Sequence, residues 1–193
     1  MQDTLQFYPL TAERWPAFEE LFGPRGACGG CWCMWWRLSR KEYERNKGDG
    51  NRAAMRNLVK SGSVPGMLAF DGDKVVGWCA FAPRESLDTL QRSRILKAVD
   101  DEPVWSIVCF FIAKEYRQKG LTVELINAAC GYIALQGGRI CESYPVEPRK
   151  KQIPSVFAYT GLAAAFRKAG FREVARRSET RPIMRRILAD AGN

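Results

Sequence analysis

Residues Val104 to Ala113 read V-W-S-I-V-C-F-F-I-A, an apolar, β-branched and aromatic run. Such a run suits a strand buried on both faces, so the sheet that holds it needs covering layers on both sides. K-E-Y-R-Q-K-G-L-T follows, Lys114 to Thr122, and then V-E-L-I-N-A-A-C-G-Y-I-A-L. Leu121, Leu125, Ala129 and Ile133 recur at i, i+4 spacing, one face of a helix. A buried strand therefore enters a basic, glycine-bearing turn that opens a helix.

The first N–H groups of a helix have no intrahelical partner, and the helix dipole adds partial positive charge there. An anion, phosphate above all, is stabilised at that place. Gly120 has no Cβ to keep a ligand from the backbone, and Arg117 and Lys119 add full charges. An ordinary strand-turn-helix with a solvated basic loop fits the same residues.

The flanking sequence supplies the rest of a mixed sheet. Thr4–Leu10 reads as a strand, and Thr11 as the N-cap of a helix carrying Trp15, Phe18, Leu21 and Phe22, stopped by Gly23-Pro24. Ser39 and Glu42 form a capping box, and a further helix is expected from Asn51 to Lys60. Gly66–Phe70 and Lys74–Ala82 read as a hairpin across Asp71-Gly72-Asp73, and Ser86 as the cap of a short helix over Leu87–Val99. After the central helix, Arg139–Val146 reads as a strand, Glu147–Ser155 as a basic surface loop, and Thr160–Ala169 as a helix with Leu162, Ala165, Phe166 and Ala169 inward. Gly170 closes that helix, and Phe171–Ser178 with Arg181–Leu188 form a terminal hairpin. The order predicts an α/β (α+β) mixed sheet with helices on both faces, in one domain spanning 1–193.

Composition limits the chemistry. The chain holds no histidine, which excludes Ser-His-Asp and Cys-His catalysis and any His-ligated zinc. A proton acceptor must be Asp, Glu, Tyr, Cys, Lys or water. Seven cysteines are expected to be mostly reduced, buried and small-hydrophobe-like. Cys28, Cys31 and Cys33 form C-x-x-C-x-C inside G-A-C-G-G-C-W-C-M-W-W-R, a spacing that could serve zinc or redox chemistry. No second C-x-x-C supplies a fourth ligand, so the expected reading is a metal-free apolar loop packing Trp32, Trp35 and Trp36. Of the net charge of +9, residues 139–193 carry +7, from 12 Lys and Arg against 5 Asp and Glu. This basic third suits an anionic ligand; a nucleic-acid surface is the weaker reading, because stacking aromatics are not interleaved with its arginines. No apolar run reaches the ~18 residues of a membrane span, and the N-terminus lacks a basic region followed by an apolar core, so a cytoplasmic protein without membrane contact is expected.

Y-R-Q-K-G-L-T resembles motif A of the GNAT superfamily of N-acetyltransferases, Q/R-x-x-G-x-G/A, with Arg117, Gly120 and Thr122 on the defined positions. Thr122 departs from the usual small residue. The preceding strand over Cys109–Ala113 and the late A-A-F-R-K-A-G-F, Ala164 to Phe171, extend the resemblance.

The resemblance implies a GNAT fold that binds acetyl-CoA as co-substrate. The turn Arg117, Gln118, Lys119, Gly120, Leu121 and Thr122 would take the pyrophosphate. The backbone of Phe110, Phe111 and Ile112 would pair with the pantetheine arm and bind the thioester oxygen. Glu142 falls where the family often carries its general base, and the alternative is an ion pair with Arg139 or another arginine. The usual Tyr that protonates the thiolate is replaced by Phe166, which leaves Tyr159, Tyr144 or water for that step. By position, the Cys- and Trp-rich segment would wall the acceptor site. The implied activity is direct, sequential acetyl transfer to an amine, small or peptide-borne, and a homodimer is open. The other readings are a coenzyme A-binding module without turnover and, third, a zinc or nucleic-acid module.

Overall fold

The computed structural model describes residues 5–148 and 158–188. Thr4, the expected start of the first strand, and all of the expected basic loop beyond Pro148 lie outside the described residues. Seven strands form one sheet in the order β1-β2-β3-β4-β5-β7-β6. They are β1 (Gln6–Pro9), β2 (Gly66–Asp71), β3 (Lys74–Pro83), β4 (Trp105–Ile112), β5 (Ile140–Ser143), β6 (Arg172–Arg176) and β7 (Pro182–Ile187). Every neighbouring pair is antiparallel except β4 and β5, which run parallel. Helices α1 (Trp15–Phe22), α2 (Arg40–Arg45), α3 (Asp49–Lys60), α4 (Asp88–Gln91), α5 (Leu121–Leu135) and α6 (Ala163–Lys168) complete it.

Side chains alternate across the strands and feed two cores. On one face, Leu68, Trp78, Ala80 and Val108 pack with α1, α3 and the tryptophan-rich segment. Phe18 meets Trp78 edge-on at 4.9 Å, and Phe22 stacks on Trp32 at 5.7 Å. On the other face, Ala69, Cys79, Phe81 and Ile107 pack under α5 and α6. The apolar run of β4 thus lies in a sheet covered on both sides. Helix α5 buries Leu121, Leu125, Ala129 and Ile133, each large side chain contributing about 1.5–3 kcal/mol. It sits close on β3 because Gly77 opposes it: a Cβ there would lie 3.1 Å from Leu125 and 3.2 Å from Leu121.

Several local expectations are corrected. Thr11 does not cap α1; a 3₁₀ turn, Ala12–Arg14, intervenes, and Thr11 Oγ1 accepts from Arg14 Nη1 at 3.3 Å. The helix starts beside Pro16, whose missing N–H costs nothing in a first turn. Helix α3 starts at Asp49 rather than Asn51; Asn51 is buried and donates to Gly30 O at 3.1 Å. The helix expected over Leu87–Val99 shrinks to Asp88–Gln91, and Ser86 donates to Pro83 O instead of capping it. Carbonyls of this segment turn inward to a buried guanidinium: Arg84 Nη2 donates to Leu90 O at 3.3 Å and Leu96 O at 2.8 Å. Strand β5 ends at Ser143, before Pro145, which has no N–H to extend a ladder. Helix α6 starts at Ala163 rather than Thr160, because Leu162 is held extended by a bridge to Val146. Leu162 is consequently exposed and Ala165 only half-buried, while Phe166 is buried as expected.

Candidate active site

The parallel pair β4–β5 is brief. Trp105, Ser106 and Ile107 align with Cys141, Glu142 and Ser143, and the strands then part. Residues 158–163 enter the gap, with Phe110 N–H donating to Tyr159 O at 2.6 Å and Val146 N–H to Gly161 O at 2.9 Å. The C-terminal end of β4 therefore opens onto a wedge, and a cavity of about 640 Å³ lies there.

One wall is the turn between β4 and α5. Arg117 Nε donates to Ile112 O at 2.9 Å, folding the turn back on the strand end. Tyr116 donates to Asp71 at 2.5 Å, anchoring it to the β2–β3 hairpin. Gly120 precedes the helix with φ +88°, a left-handed value that glycine takes without strain, and a Cβ there would meet nothing within 4 Å. The backbone that opens this 15-residue helix is thus free to be approached at Gly120. Arg117, Gln118 and Thr122 line the cavity, as do Phe110, Phe111 and Ile112. Leu121 points into the core, and Lys119 lies 5.6 Å over the Tyr116 ring.

The opposite wall is the Cys- and Trp-rich segment. Its backbone is irregular: Ala27, Trp32 and Cys33 take positive φ, as do the glycines at 26, 29 and 30. The irregularity folds Cys28, Cys31 and Cys33 onto the cavity with Trp35 and Trp36. Trp35 meets Tyr43, another lining residue, edge-on at 5.1 Å. Cys109, from β4, faces the same space. Trp78 Nε1–H donates to Cys33 Sγ at 3.2 Å. Contact with the Cys109 thiol, and then the Trp78 N–H, draws the Cys33 thiol down, while Cys109 is driven up by that contact and by burial. Burial raises Cys31. Among the described residues no group of three or more Cys, Asp or Glu is arranged to hold a metal ion.

Glu142 and Tyr144 do not line the cavity; the Tyr144 ring stacks behind the lining Trp36 at 6.5 Å. Glu142 is fully buried and accepts three hydrogen bonds: Arg185 Nε at 2.7 Å, Arg84 Nη1 at 3.4 Å and Tyr144 OH at 2.5 Å. Tyr144 OH also accepts from Arg84 at 2.6 Å and lies 2.9 Å from Ser106 Oγ. Arg185 closes the network on Asp100 at 2.6 and 2.9 Å. Burial and the adjacent carboxylate push the Tyr144 phenol far up. The alternative of an arginine ion pair describes this geometry, with Arg84 and Arg185 as partners instead of Arg139. Phe166 does not line the cavity but packs behind it, its ring edge-on to the lining Phe110 at 6.0 Å and to Phe171 at 5.0 Å. Of the three side chains weighed for proton transfer, Tyr159 alone lines the cavity, and burial raises its phenol above the ordinary value.

Sequence reading missed Arg84, Tyr43 and Cys109. Cys109 carries a partial signal, as a lone sulfur in the strand that ends at the glycine turn; Arg84 carries none, since its side-chain partners are 58 and 60 positions away.

A sequence comparison matches the model of the acetyltransferase (GNAT) family over residues 32–153. Among curated proteins no sequence matches significantly. Similar solved structures include a GNAT-family acetyltransferase from Streptococcus agalactiae, 12% identical with a TM-score of 0.55, covering 97% of each chain. PaiA N-acetyltransferase from Thermoplasma acidophilum, in complex with coenzyme A, is 14% identical with a TM-score of 0.52, covering 95% of this chain and 99% of its own. YncA from Salmonella typhimurium, with its cofactor acetyl-CoA, is 12% identical with a TM-score of 0.54, covering 98% and 96%. At these identities the likeness is one of fold, a mixed sheet between helical layers. With a family model matched over more than half its length, the chain belongs to the acetyltransferase (GNAT) family.

Proposed function

We propose that the protein is a single-domain, acetyl-CoA-dependent N-acetyltransferase that passes the acetyl group directly to an amine. The observation that carries this reading is one continuous cavity joining the anion-ready turn, the end of β4 and the aromatic wall. Donor and acceptor can meet in such a space without a covalent enzyme intermediate. Two proteins of the same fold are known with coenzyme A or acetyl-CoA.

The residues fit such a co-substrate. The N–H groups opening α5, with Arg117, Gln118, Lys119 and Thr122, offer donors and charge to the pyrophosphate, and Gly120 leaves the approach open. The β4 edge from Phe110 to Ile112 offers backbone groups to the pantetheine arm. Phe110 N–H would exchange its bond to Tyr159 O for one to the incoming thioester oxygen. Bound acetyl-CoA supplies the activated acyl carbon. Tyr159, kept protonated by burial, holds the proton that the departing sulfur needs. The three donors on Glu142 support a structural ion pair for that residue rather than the base.

The test is thiol release from acetyl-CoA on adding a panel of amines, with the acetylated amine identified by mass spectrometry. Turnover with at least one amine is the expected result. The occupied Phe110 N–H favours one other reading, a coenzyme A-binding module without turnover; it predicts a melting shift with acetyl-CoA and no amine-dependent thiol release.

A further inference from the structure

The acceptor side of the cavity combines aromatic and thiol walls, and among the described residues no carboxylate lines it. Trp35, Trp36, Tyr43 and Tyr159 surround it with Cys31 and Cys33. Among the described residues the titratable groups lining the cavity are Arg117, the two tyrosines and four thiols, Cys28, Cys31, Cys33 and Cys109; no Asp or Glu is among them. Glu142 lies outside, with its carboxylate engaged by two arginines and a phenol.

From this we infer that the acceptor is an aromatic amine that is uncharged at neutral pH, an arylamine, rather than an alkylammonium compound such as a polyamine or a lysine side chain. This rests on the acetyltransferase reading above and narrows it.

Charge leads to the same class of acceptor as shape. An ammonium group entering this space would leave water for a wall that holds no counter-ion among the described residues, at a cost of several kcal/mol. An alkylammonium must also lose a proton before its nitrogen can attack, and among the described residues the cavity offers no carboxylate to take it, nor does the chain hold an imidazole. Cys33, the one lining thiol drawn downward, has its sulfur turned to Trp78 Nε1 and Cys109. A neutral arylamine needs neither service. Its nitrogen bonds to the acyl carbon, the carbon–sulfur bond breaks, and the one proton shed by nitrogen ends on the sulfur of coenzyme A through Tyr159. Atoms and charges balance without an external base. Flat rings also match the walls, since edge-on and offset contacts with Trp and Tyr add about 0.5–1.5 kcal/mol each beyond area burial.

The experiment uses the full chain with saturating acetyl-CoA and a pair of amines matched in shape but not in basicity, aniline and benzylamine, with spermidine as third. Acetyl-CoA alone is examined first by melting temperature; absence of a shift removes the acetyltransferase reading, and this inference with it. Given a shift, kcat/KM at neutral pH should be at least about tenfold higher for aniline than for benzylamine. The aniline profile should be flat from about pH 6 to 8, while that of benzylamine climbs roughly tenfold per unit as its neutral fraction grows. Trp35→Ala should raise KM for aniline by about tenfold and leave the acetyl-CoA melting shift unchanged. Preference for spermidine, a flat benzylamine profile at comparable kcat/KM, or acetyl-CoA binding with no turnover of aniline would each overturn the inference while leaving coenzyme binding intact.

Discussion

Replacing Glu142 with Gln separates a structural ion pair from a catalytic base. The carboxylate is 0% exposed, and the Arg84 and Arg185 side chains are 10% and 9% exposed. The amide keeps the shape and removes the charge, so two guanidinium groups lose their buried counter-ion and one amide donor is turned against existing donors. Breaking a buried pair from one side costs about 3–5 kcal/mol. For a chain of this length that is a fall of roughly 6–20 °C in melting temperature. Urea and thermal unfolding measure the loss, and amine-dependent thiol release measures kcat of the folded enzyme at a temperature well below the lowered transition. The expected outcome is a large stability loss with kcat changed by less than about threefold, since Glu142 does not line the cavity. Arg185→Gln should cost a similar amount, and the double variant less than the sum, because the residues share one network. A Glu142→Gln protein with wild-type melting and kcat lowered by about 10²–10⁴-fold would refute this reasoning and restore Glu142 as the base.

Saturating acetyl-CoA should raise the melting temperature, and Gly120→Glu should abolish the rise by setting bulk and negative charge at the start of α5; an unchanged shift in the variant would place the pyrophosphate elsewhere. Tyr159→Phe should lower kcat by about 10²-fold or more with little change in acetyl-CoA affinity, and an unaltered kcat would leave the proton to water. Stability should decline in acid. Arginine hydrogen bonds hold Asp100, Glu147 and Glu173 below their ordinary values. The unfolded chain therefore takes up protons first, and the contribution, full above the ordinary Glu value of 4.5, fades as pH falls through the depressed folded values. Chemical unfolding between about pH 7 and 3 checks this, and a constant stability would count against it.

The central strand, turn and helix were legible because each carries its own local code: an unbroken apolar run, a glycine among charges, and an i, i+4 stripe. The hairpins were legible for the same reason, as at Gly72, whose φ of +58° lets β2 turn directly into β3. What escaped depends on partners far along the chain. Nothing near Leu87 announces that Arg84 will draw in the carbonyls of Leu90 and Leu96, and nothing near Thr160 announces that Val146 will hold Leu162 extended. The candidate site divides in the same way. The turn from Arg117 to Thr122 is contiguous in sequence, and of the six residues named there Arg117, Gln118 and Thr122 line the cavity. Whether Glu142 faced the wedge or an arginine pair depended on Arg185, which is 43 positions away.

That separation also shapes how the protein can fold. Strands β2, β3 and β4 join through neighbouring antiparallel pairings, close in sequence and quick to form. The β4–β5 ladder is only three residue pairs long, and β5 takes its other neighbour from β7, with Glu142 opposite Arg185. Until β7 arrives, β5 has one weak partner and its carboxylate lacks the closer of its two cations. Pairing β5 with β7 carries the loop-closure cost of about forty residues, so the half of the sheet beyond β4 is expected to close after the β2–β4 meander. A chain in which β7 has not yet docked would present an unpaired β5 edge, a template for pairing with another chain.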